Sequence, residues 1–107
     1  MNIPELLDKD GYPTDEFLQF IRDYKPSQMP IMEFIELIRE SWWHNEWGVV
    51  LKREYKGSRM LQLHTGGWSG NESIIDAILS NIYLTQFAMR YIMWTRGGHY
   101  CFKIKVK

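Results

Sequence analysis

The sequence predicts one α+β domain over residues 1–107, a four-stranded antiparallel sheet with helices packed on one face. Three observations predict it. Two segments with apolar residues at helical spacing open the chain, two later segments alternate apolar and polar residues around glycine turns, and another helical segment separates these hairpins. The predicted order is α-α-β-β-α-β-β. Packing the helices on one face of the sheet buries every apolar stripe at once.

The first helix follows an N-terminal arm, residues 1–13, which ends in a turn at Asp10-Gly11-Tyr12-Pro13. Thr14 is a good N-cap, because its hydroxyl can accept a hydrogen bond from a free backbone N–H of the first turn. Pro26 cannot continue a helix and therefore predicts its end.

A second helix is predicted to open near Ser27 or at the Met29-Pro30 step, with its apolar stripe running on to Trp42. Adjacent residues on a helix face different directions, so the tryptophans around its end cannot all be buried in one stripe. At least one of them is expected to be exposed, and the sequence does not say which. They are Trp42, Trp43 and Trp47.

The first hairpin is predicted to turn at Lys56-Gly57-Ser58, with Tyr55 opposite Arg59. This register places Leu51 opposite Leu63 on an apolar face and leaves a mixed face toward solvent, as a half-buried antiparallel pair requires.

A third helix should follow the glycine-rich loop, residues 65–71. Ser69-x-x-Glu72 fits a capping box at its start, and Asn81 is a plausible left-handed residue at its end.

Residues 82–107 permit two interpretations. A long helix through Trp94 is one, because many of these residues are good helix formers. The other is a hairpin that turns on Gly97-Gly98, with Arg96 opposite His99 and Met89 opposite Val106. We favour the hairpin, because it sorts apolar side chains onto one face and cationic ones onto the other.

The cationic face of this second hairpin is the leading candidate site. It carries no acid, and Arg90 is expected directly opposite Lys105, an arrangement of like charges that destabilises a sheet. Arginine and lysine bind phosphate, and tryptophan stacks on bases. The predicted ligand contacts are Arg90, Trp94, Arg96, His99, Lys103 and Lys105. The alternative is a solvated face whose cations only prevent edge-to-edge aggregation.

The glycine-rich loop is the second candidate, because it leads into a helix start, where backbone N–H groups attract anions. Its predicted contacts are Gly66, Gly67, Ser69 and Asn71. The pattern is neither a P-loop nor G-x-G-x-x-G. A plain strand-to-helix connection is the alternative interpretation.

Catalysis is a further alternative, in which His64 and His99 perform acid–base work on a phosphodiester if the two hairpins are adjacent. The basic residues around Cys101 could lower the pKa of its thiol, although an ordinary strand cysteine is the simpler interpretation. No metal site and no cofactor are expected, because the histidines, His44 included, lack ligand spacing.

Composition places the chain among folded proteins of a reducing compartment, which we take to be the cytoplasm. Hydrophobic residues make up 45% and the one cysteine cannot form an internal disulfide. No signal peptide or membrane span is expected. Residues 1–40 carry nine acidic and four basic side chains, while residues 41–107 carry four acidic and nine basic. Such asymmetry indicates an interaction surface or attraction between the two halves.

Two segments, His64-Thr65-Gly66-Gly67-Trp68-Ser69-Gly70-Asn71-Glu72 and Arg96-Gly97-Gly98-His99-Tyr100, resemble small uncharacterised proteins carried by phages and prophages. The resemblance implies a host-directed binding role, and it comes with no known activity from which a catalytic residue could be carried over. Three functions follow from the sequence as a whole. The first is non-enzymatic binding of a nucleotide-like anion or nucleic acid. The second is binding to a host protein as an inhibitor or adaptor. The third is phosphodiester hydrolysis. The sequence leaves open whether the protein is a monomer or a homodimer.

Overall fold

The computed structural model describes residues 2–105, except for the side chains of Met93 and Trp94. Helices and strands occur in the predicted order, with one short helix and one π-helical segment added. The elements are α1 (Asp15–Asp23), α2 (Ile31–Ser41), α3 (Asn45–Gly48), β1 (Val49–Leu51), β2 (Ser58–His64), α4 (Ser69–Leu79), the π-helical segment Leu84–Ala88, β3 (Met89–Thr95) and β4 (His99–Lys105).

The four strands form one sheet in the order β1-β2-β4-β3, and every neighbouring pair is antiparallel. The predicted fold class is confirmed. Alternate residues of the central strands β2 and β4 are fully buried against the helices, and these are Leu61, Leu63, Phe102 and Ile104. The core is completed from the helical side by Phe17, Ile21, Phe34, Ile38, Ile74 and Ile78.

Helix α1 begins and ends as its sequence predicts. The Thr14 hydroxyl accepts a hydrogen bond of 3.0 Å from the Phe17 backbone N–H, and Asp15 and Glu16 occupy the first turn, where the helix dipole favours acids. Helix α2 begins at Ile31, directly after Pro30. Proline suits this position because it has no backbone N–H that would be left without a partner at the helix start.

Asn81 links three parts of the fold and is not the left-handed residue that was predicted. Its buried side-chain amide donates to the carbonyl oxygens of Ile21 and Tyr24, both at 2.8 Å. Its Oδ1 accepts from the Leu84 backbone N–H at 3.0 Å. Among the described residues, the non-glycine positions with positive φ are His44 and Lys56. The prediction was wrong because the Asn81 side chain forms hydrogen bonds with the backbone of Ile21, Tyr24 and Leu84. With these bonds formed, Asn81 does not adopt a left-handed conformation.

The predicted capping box at α4 is also absent. Ser69 is already the first helical residue, and the N-cap position is taken by Trp68, which makes no side-chain capping bond. A tight turn, with the Trp68 N–H donating to the Thr65 carbonyl at 3.1 Å, carries the chain directly into the helix. The helix therefore starts one residue earlier than the capping box requires.

The first hairpin forms with the pairing of β1 two residues away from the predicted register and the pairing at its turn one residue away. Leu51 lies opposite Leu61, and Tyr55 bridges to Ser58 across a two-residue turn. The turn has positive φ at both central residues, 52° at Lys56 and 81° at Gly57, which suits the twist of paired strands. A shift of two residues leaves every side chain on its predicted face, which is why the apolar pattern could not detect it.

The second hairpin confirms that residues 89–105 fold back on themselves, so the alternative of a helix through Trp94 is wrong. Its register differs from the predicted one, because the turn holds three residues and pairs Thr95 with His99. A bulge at Ile92 shifts the pairing once more, so that Arg90 lies opposite Lys103 and Met89 opposite Ile104. The predicted partner of Met89, Val106, lies outside the described residues.

No helix within residues 2–105 combines the length and the apolar character that crossing a membrane requires.

Candidate functional site

The face of the sheet that points away from the helices carries the candidate site, and we call it the open face. Because side chains alternate along a strand, the neighbours of the buried core residues point to this side. The residues of the open face on β2, β4 and β3 are Met60, Gln62, His64, His99, Cys101, Lys103, Lys105 and Arg90.

One end of the open face is a cleft of about 720 Å³, which we call the cationic cleft. Four cationic side chains and one aromatic ring line it, together with one acidic residue. The lining includes Glu54, Lys56, Phe87, Arg90, Lys103 and Lys105. A cleft of this size falls within the range of small-molecule sites.

Strand pairing places the cations of the cleft side by side. Arg90 of β3 lies directly opposite Lys103 of β4, and Lys105 follows on the same face of β4, opposite Ser58. Like charges directly opposite each other destabilise a sheet, and an anion between them would relieve that repulsion. The predicted pair was Arg90 with Lys105, and the three-residue turn together with the bulge at Ile92 changed the partner.

Phe87 supplies an aromatic surface that sequence reasoning missed. It belongs to the π-helical segment that leads into β3, and 70% of its side chain is exposed. Lys56 was also missed, because the sequence identified only its turn. The short turn places Lys56 beside Ser58, the first residue of β2. From this position Lys56 lines the cleft. Neither residue has a local motif that could have pointed to a ligand.

The remaining predicted contacts of the second hairpin lie elsewhere. Arg96 lies in the hairpin turn and His99 at the start of β4, four residues from Lys103 and therefore roughly 13 Å along the strand. The predicted register paired Trp94 with Cys101. In the structure, the backbone of Trp94 pairs with that of Tyr100. The Trp94 side chain lies outside the described part of the chain, so its stacking role stays a prediction.

The glycine-rich loop lies at the end of the sheet far from the cationic cleft. Thr65 follows the last residue of β2, and its N–H donates to the Gly98 carbonyl at 2.9 Å. The cleft lies near Ser58 at the other end of β2, roughly 20 Å away for a strand of seven residues. The predicted site is therefore divided into two regions that one small ligand cannot span.

Two predicted contacts in the glycine-rich loop have structural roles. Asn71 is fully buried, where its Oδ1 accepts from the Trp43 N–H at 3.0 Å and its amide donates to the carbonyls of Trp43 and Thr65, both at 3.2 Å. Gly66 lies under the indole of Trp47, which a Cβ atom would approach to 2.7 Å. Gly67 and Ser69 remain exposed.

Around this loop lies an aromatic cluster made of Tyr12, Trp43, His44, Trp47 and Trp68. Trp68 contacts Tyr12 and Trp43 with ring centroids 4.9 and 5.3 Å apart, and His44 lies between Trp43 and Trp47. Trp43 is 47% exposed and Trp47 46%, whereas Trp42 is 3% exposed. Trp43 and Trp47 are thus the exposed members of the tryptophan group.

His64 and His99, the histidine pair, lie in direct contact because β2 and β4 are neighbours. They occupy opposite positions in the two strands, and their Nδ1 atoms are 2.7 Å apart. Burial lowers the pKa of His64, and the neighbouring charge of His99 lowers it further. Burial raises the pKa of the Cys101 thiol, so the possibility that basic neighbours lower it finds no support.

Within residues 2–105, no three His, Cys, Asp or Glu side chains come close enough together to share a metal ion. Comparison with protein-family models, curated proteins and solved structures returned no match to this chain. The resemblance of two segments to phage-type proteins therefore stays an expectation.

Proposed function

We propose that the protein is a non-enzymatic binding protein that holds an anionic, nucleotide-like ligand in the cationic cleft. The observation that carries the proposal is the cross-strand pair of Arg90 and Lys103, with Lys105 and Lys56 beside it. An anion bound between two opposed cations gains attraction from each of them and removes the repulsion between them.

The chemistry of the cleft suits phosphate attached to a flat ring. The Arg90 guanidinium can form two parallel hydrogen bonds to a phosphate, and the lysines add compact charges. Phe87 exposes a ring at the same cleft, and stacking on an aromatic ring contributes about 1–3 kcal/mol per base. The formal net charge of the chain is zero, which favours a local site over general attraction to polyanions.

Fluorescence anisotropy with two probes tests the proposal, a fluorescent ATP analogue and a fluorescein-labelled oligothymidylate of ten residues. The double variant Arg90→Gln with Lys103→Gln should weaken binding of the preferred probe at least tenfold. The matched control, Lys9→Gln with Arg22→Gln, removes the same charge from exposed positions elsewhere and should leave binding within twofold. Equal losses in both double variants would show that only overall charge matters.

Two further measurements separate the sources of affinity. Phe87→Leu removes the ring and should weaken binding severalfold, while Phe87→Tyr keeps the ring and should not. Raising the salt concentration from 50 to 300 mM should weaken oligonucleotide binding steeply, because phosphate contacts release counterions. Oligonucleotide binding that ignores salt would reject the nucleic-acid form of the proposal, and failure of both probes would reject the site.

A protein–protein function is the second candidate, and the half-exposed rings of Trp43 and Trp47 favour it. Exposed tryptophans commonly anchor protein contacts. The resemblance to phage-type proteins suggests a host protein as partner, bound for inhibition or as an adaptor. Replacing both tryptophans by alanine should abolish capture of that partner and leave ATP-analogue binding unchanged. Loss of both activities would indicate misfolding, which circular dichroism detects.

Phosphodiester hydrolysis is the third candidate, favoured by the contact between His64 and His99. One neutral and one protonated imidazole side by side could act as base and acid. Turnover of a bis-nitrophenyl phosphate reporter should then disappear when both residues are changed to glutamine. Activity that persists in that double variant would exclude the histidine pair as the catalytic group.

A further inference from the structure

We propose that the histidine pair is a two-nitrogen binding site for a divalent transition metal of tetragonal geometry, with Cu²⁺ preferred. The pair lies outside the cationic cleft and uses residues that the anion-binding proposal does not need. Local sequence spacing carries no sign of it, because 35 residues separate the two histidines and strand pairing brings them together.

The short distance between the two Nδ1 atoms allows both rings to bind one metal ion. Metal–imidazole bonds are about 2.0 Å long, so neighbouring corners of a square-planar site lie roughly 2.8 Å apart, and those of a tetrahedral site roughly 3.3 Å. The observed 2.7 Å is a hydrogen bond between the rings, so both nitrogens can reach one ion in either geometry after the rings turn toward it. Square-planar and tetragonal nitrogen sites are typical of Cu²⁺ and Ni²⁺, and Cu²⁺ binds imidazole more tightly than its neighbours in the series.

The sheet holds the two ligands in place before any metal binds. His64 ends β2 and His99 begins β4, where they face each other across a register that continues for seven residue pairs. Directly beyond them, the Thr65 N–H donates to the Gly98 carbonyl at 2.9 Å and closes this end of the sheet. Because the two backbones are already paired, only the two rings have to reorient on binding, which limits the entropy cost.

The space around the pair accommodates a metal ion with water in its other positions. A cavity of about 300 Å³ adjoins the histidines and is also lined by Gln62, Thr95 and Cys101. Since no third His, Cys, Asp or Glu completes a cluster within residues 2–105, the remaining positions would fall to water or to an added ligand. The site would thus keep open coordination positions.

Metal binding replaces the hydrogen bond between the rings. In the neutral pair, one Nδ1 carries the proton and the other accepts it. When both Nδ1 lone pairs turn to the metal, the proton of the donor ring moves to its own Nε2, so two neutral imidazoles bind without net proton release. In the metal-bound state, the Nε2–H groups of both His64 and His99 can donate hydrogen bonds.

Titration of the untagged protein with CuCl₂ against glycine as a competing chelator tests the proposal. We expect one equivalent bound, and His64→Gln or His99→Gln should each lower the affinity at least tenfold. His44→Gln is the matched control, because His44 is exposed and lies 3.4 Å from the Glu46 carboxylate, the most plausible adventitious site. A larger loss in the control than in the pair variants would overturn the assignment.

Electron paramagnetic resonance of the wild-type complex gives a readout that does not depend on variants folding. It should show a tetragonal Cu²⁺ signal with coupling to two nitrogen nuclei, and coupling to one nitrogen or to none would contradict the site. Zn²⁺ should bind more weakly, and equal affinity would contradict the preference for Cu²⁺. The Arg90→Gln, Lys103→Gln double variant should still bind Cu²⁺, so failure of this proposal is distinguishable from failure of the anion site.

Discussion

Gly98 of the second hairpin turn packs directly against the side chain of Thr65, the residue that joins β2 to the glycine-rich loop. A Cβ atom on Gly98 would collide with the Thr65 hydroxyl oxygen, and the backbone φ of Gly98 is +77°. In return, the Gly98 carbonyl accepts the Thr65 N–H at 2.9 Å. The close approach of these two backbones brings the histidine pair to the same end of the sheet.

Substitution of Gly98 by alanine should therefore cost more stability than the same change at Gly67. Both glycines have φ of +77°, but a Cβ on Gly67 meets nothing within 4 Å. The Gly67→Ala cost should be about 1–2 kcal/mol, the conformational penalty alone. We expect Gly98→Ala to lose at least a further 1 kcal/mol through steric overlap, measured by urea denaturation. Equal losses would show that the contact with Thr65 relaxes freely.

Removing one charge from the cross-strand cation pair should stabilise the fold. Lys103→Met keeps an unbranched apolar stem and removes the charge that repels Arg90, for an expected gain of about 0.2–1 kcal/mol at low salt. The gain should shrink at high salt, since ions screen exposed charges. Lys9→Met, which removes an exposed lysine in the N-terminal arm, should change stability less. A loss of stability in Lys103→Met would show that the pair is not repulsive.

The elements could be predicted from sequence because their signals are local. Thr14 and Pro26 mark the limits of α1, and the paired glycines at 97–98 mark the second hairpin. The strand registers could not be predicted, because a shift of two residues preserves every face and a bulge at Ile92 leaves no pattern in the sequence. The length of the turn and the bulge at Ile92 together decided which cation faces Arg90.

The candidate site was only partly predictable for the same reason. The sequence identified the cationic residues of β3 and β4, but it grouped them with a loop that lies at the opposite end of the sheet. The contact between His64 and His99 was foreseen only on the condition that the hairpins are neighbours. Phe87 was missed because the exposure of a side chain in the π-helical segment depends on tertiary packing.

Replacing Asn71 by alanine should strongly destabilise the protein and disturb the aromatic cluster. The change removes three hydrogen bonds and leaves the Trp43 backbone and the Thr65 carbonyl without these partners. We expect a loss of about 2–4 kcal/mol and altered tryptophan emission. Asn45→Ala, which removes one partly buried bond to the Arg39 carbonyl, is the control and should cost about 1 kcal/mol. A similar cost for both variants would contradict the structural role assigned to Asn71.

Tyr24 should make the fold sensitive to alkaline pH. Its hydroxyl donates to the Met29 carbonyl at 2.6 Å, and its ring stacks on Phe34 with centroids 4.0 Å apart. Burial, and secondarily the charge of Glu33, raises the pKa of Tyr24 to about 12. The unfolded chain loses this proton near pH 10, so the contribution is fully present below pH 10 and declines as the pH rises toward 12.

The Tyr24→Phe variant isolates this contribution. At pH 7 it should lose about 1–2 kcal/mol, because the Met29 carbonyl is left without its buried donor. Between pH 10 and 12 the wild type should lose about 2–3 kcal/mol more than the variant, since only the wild type must keep a buried phenol protonated. Urea denaturation across this range measures the difference, with Tyr55→Phe, an exposed position, as control. Parallel pH profiles for wild type and Tyr24→Phe would show that the alkaline transition arises from other groups.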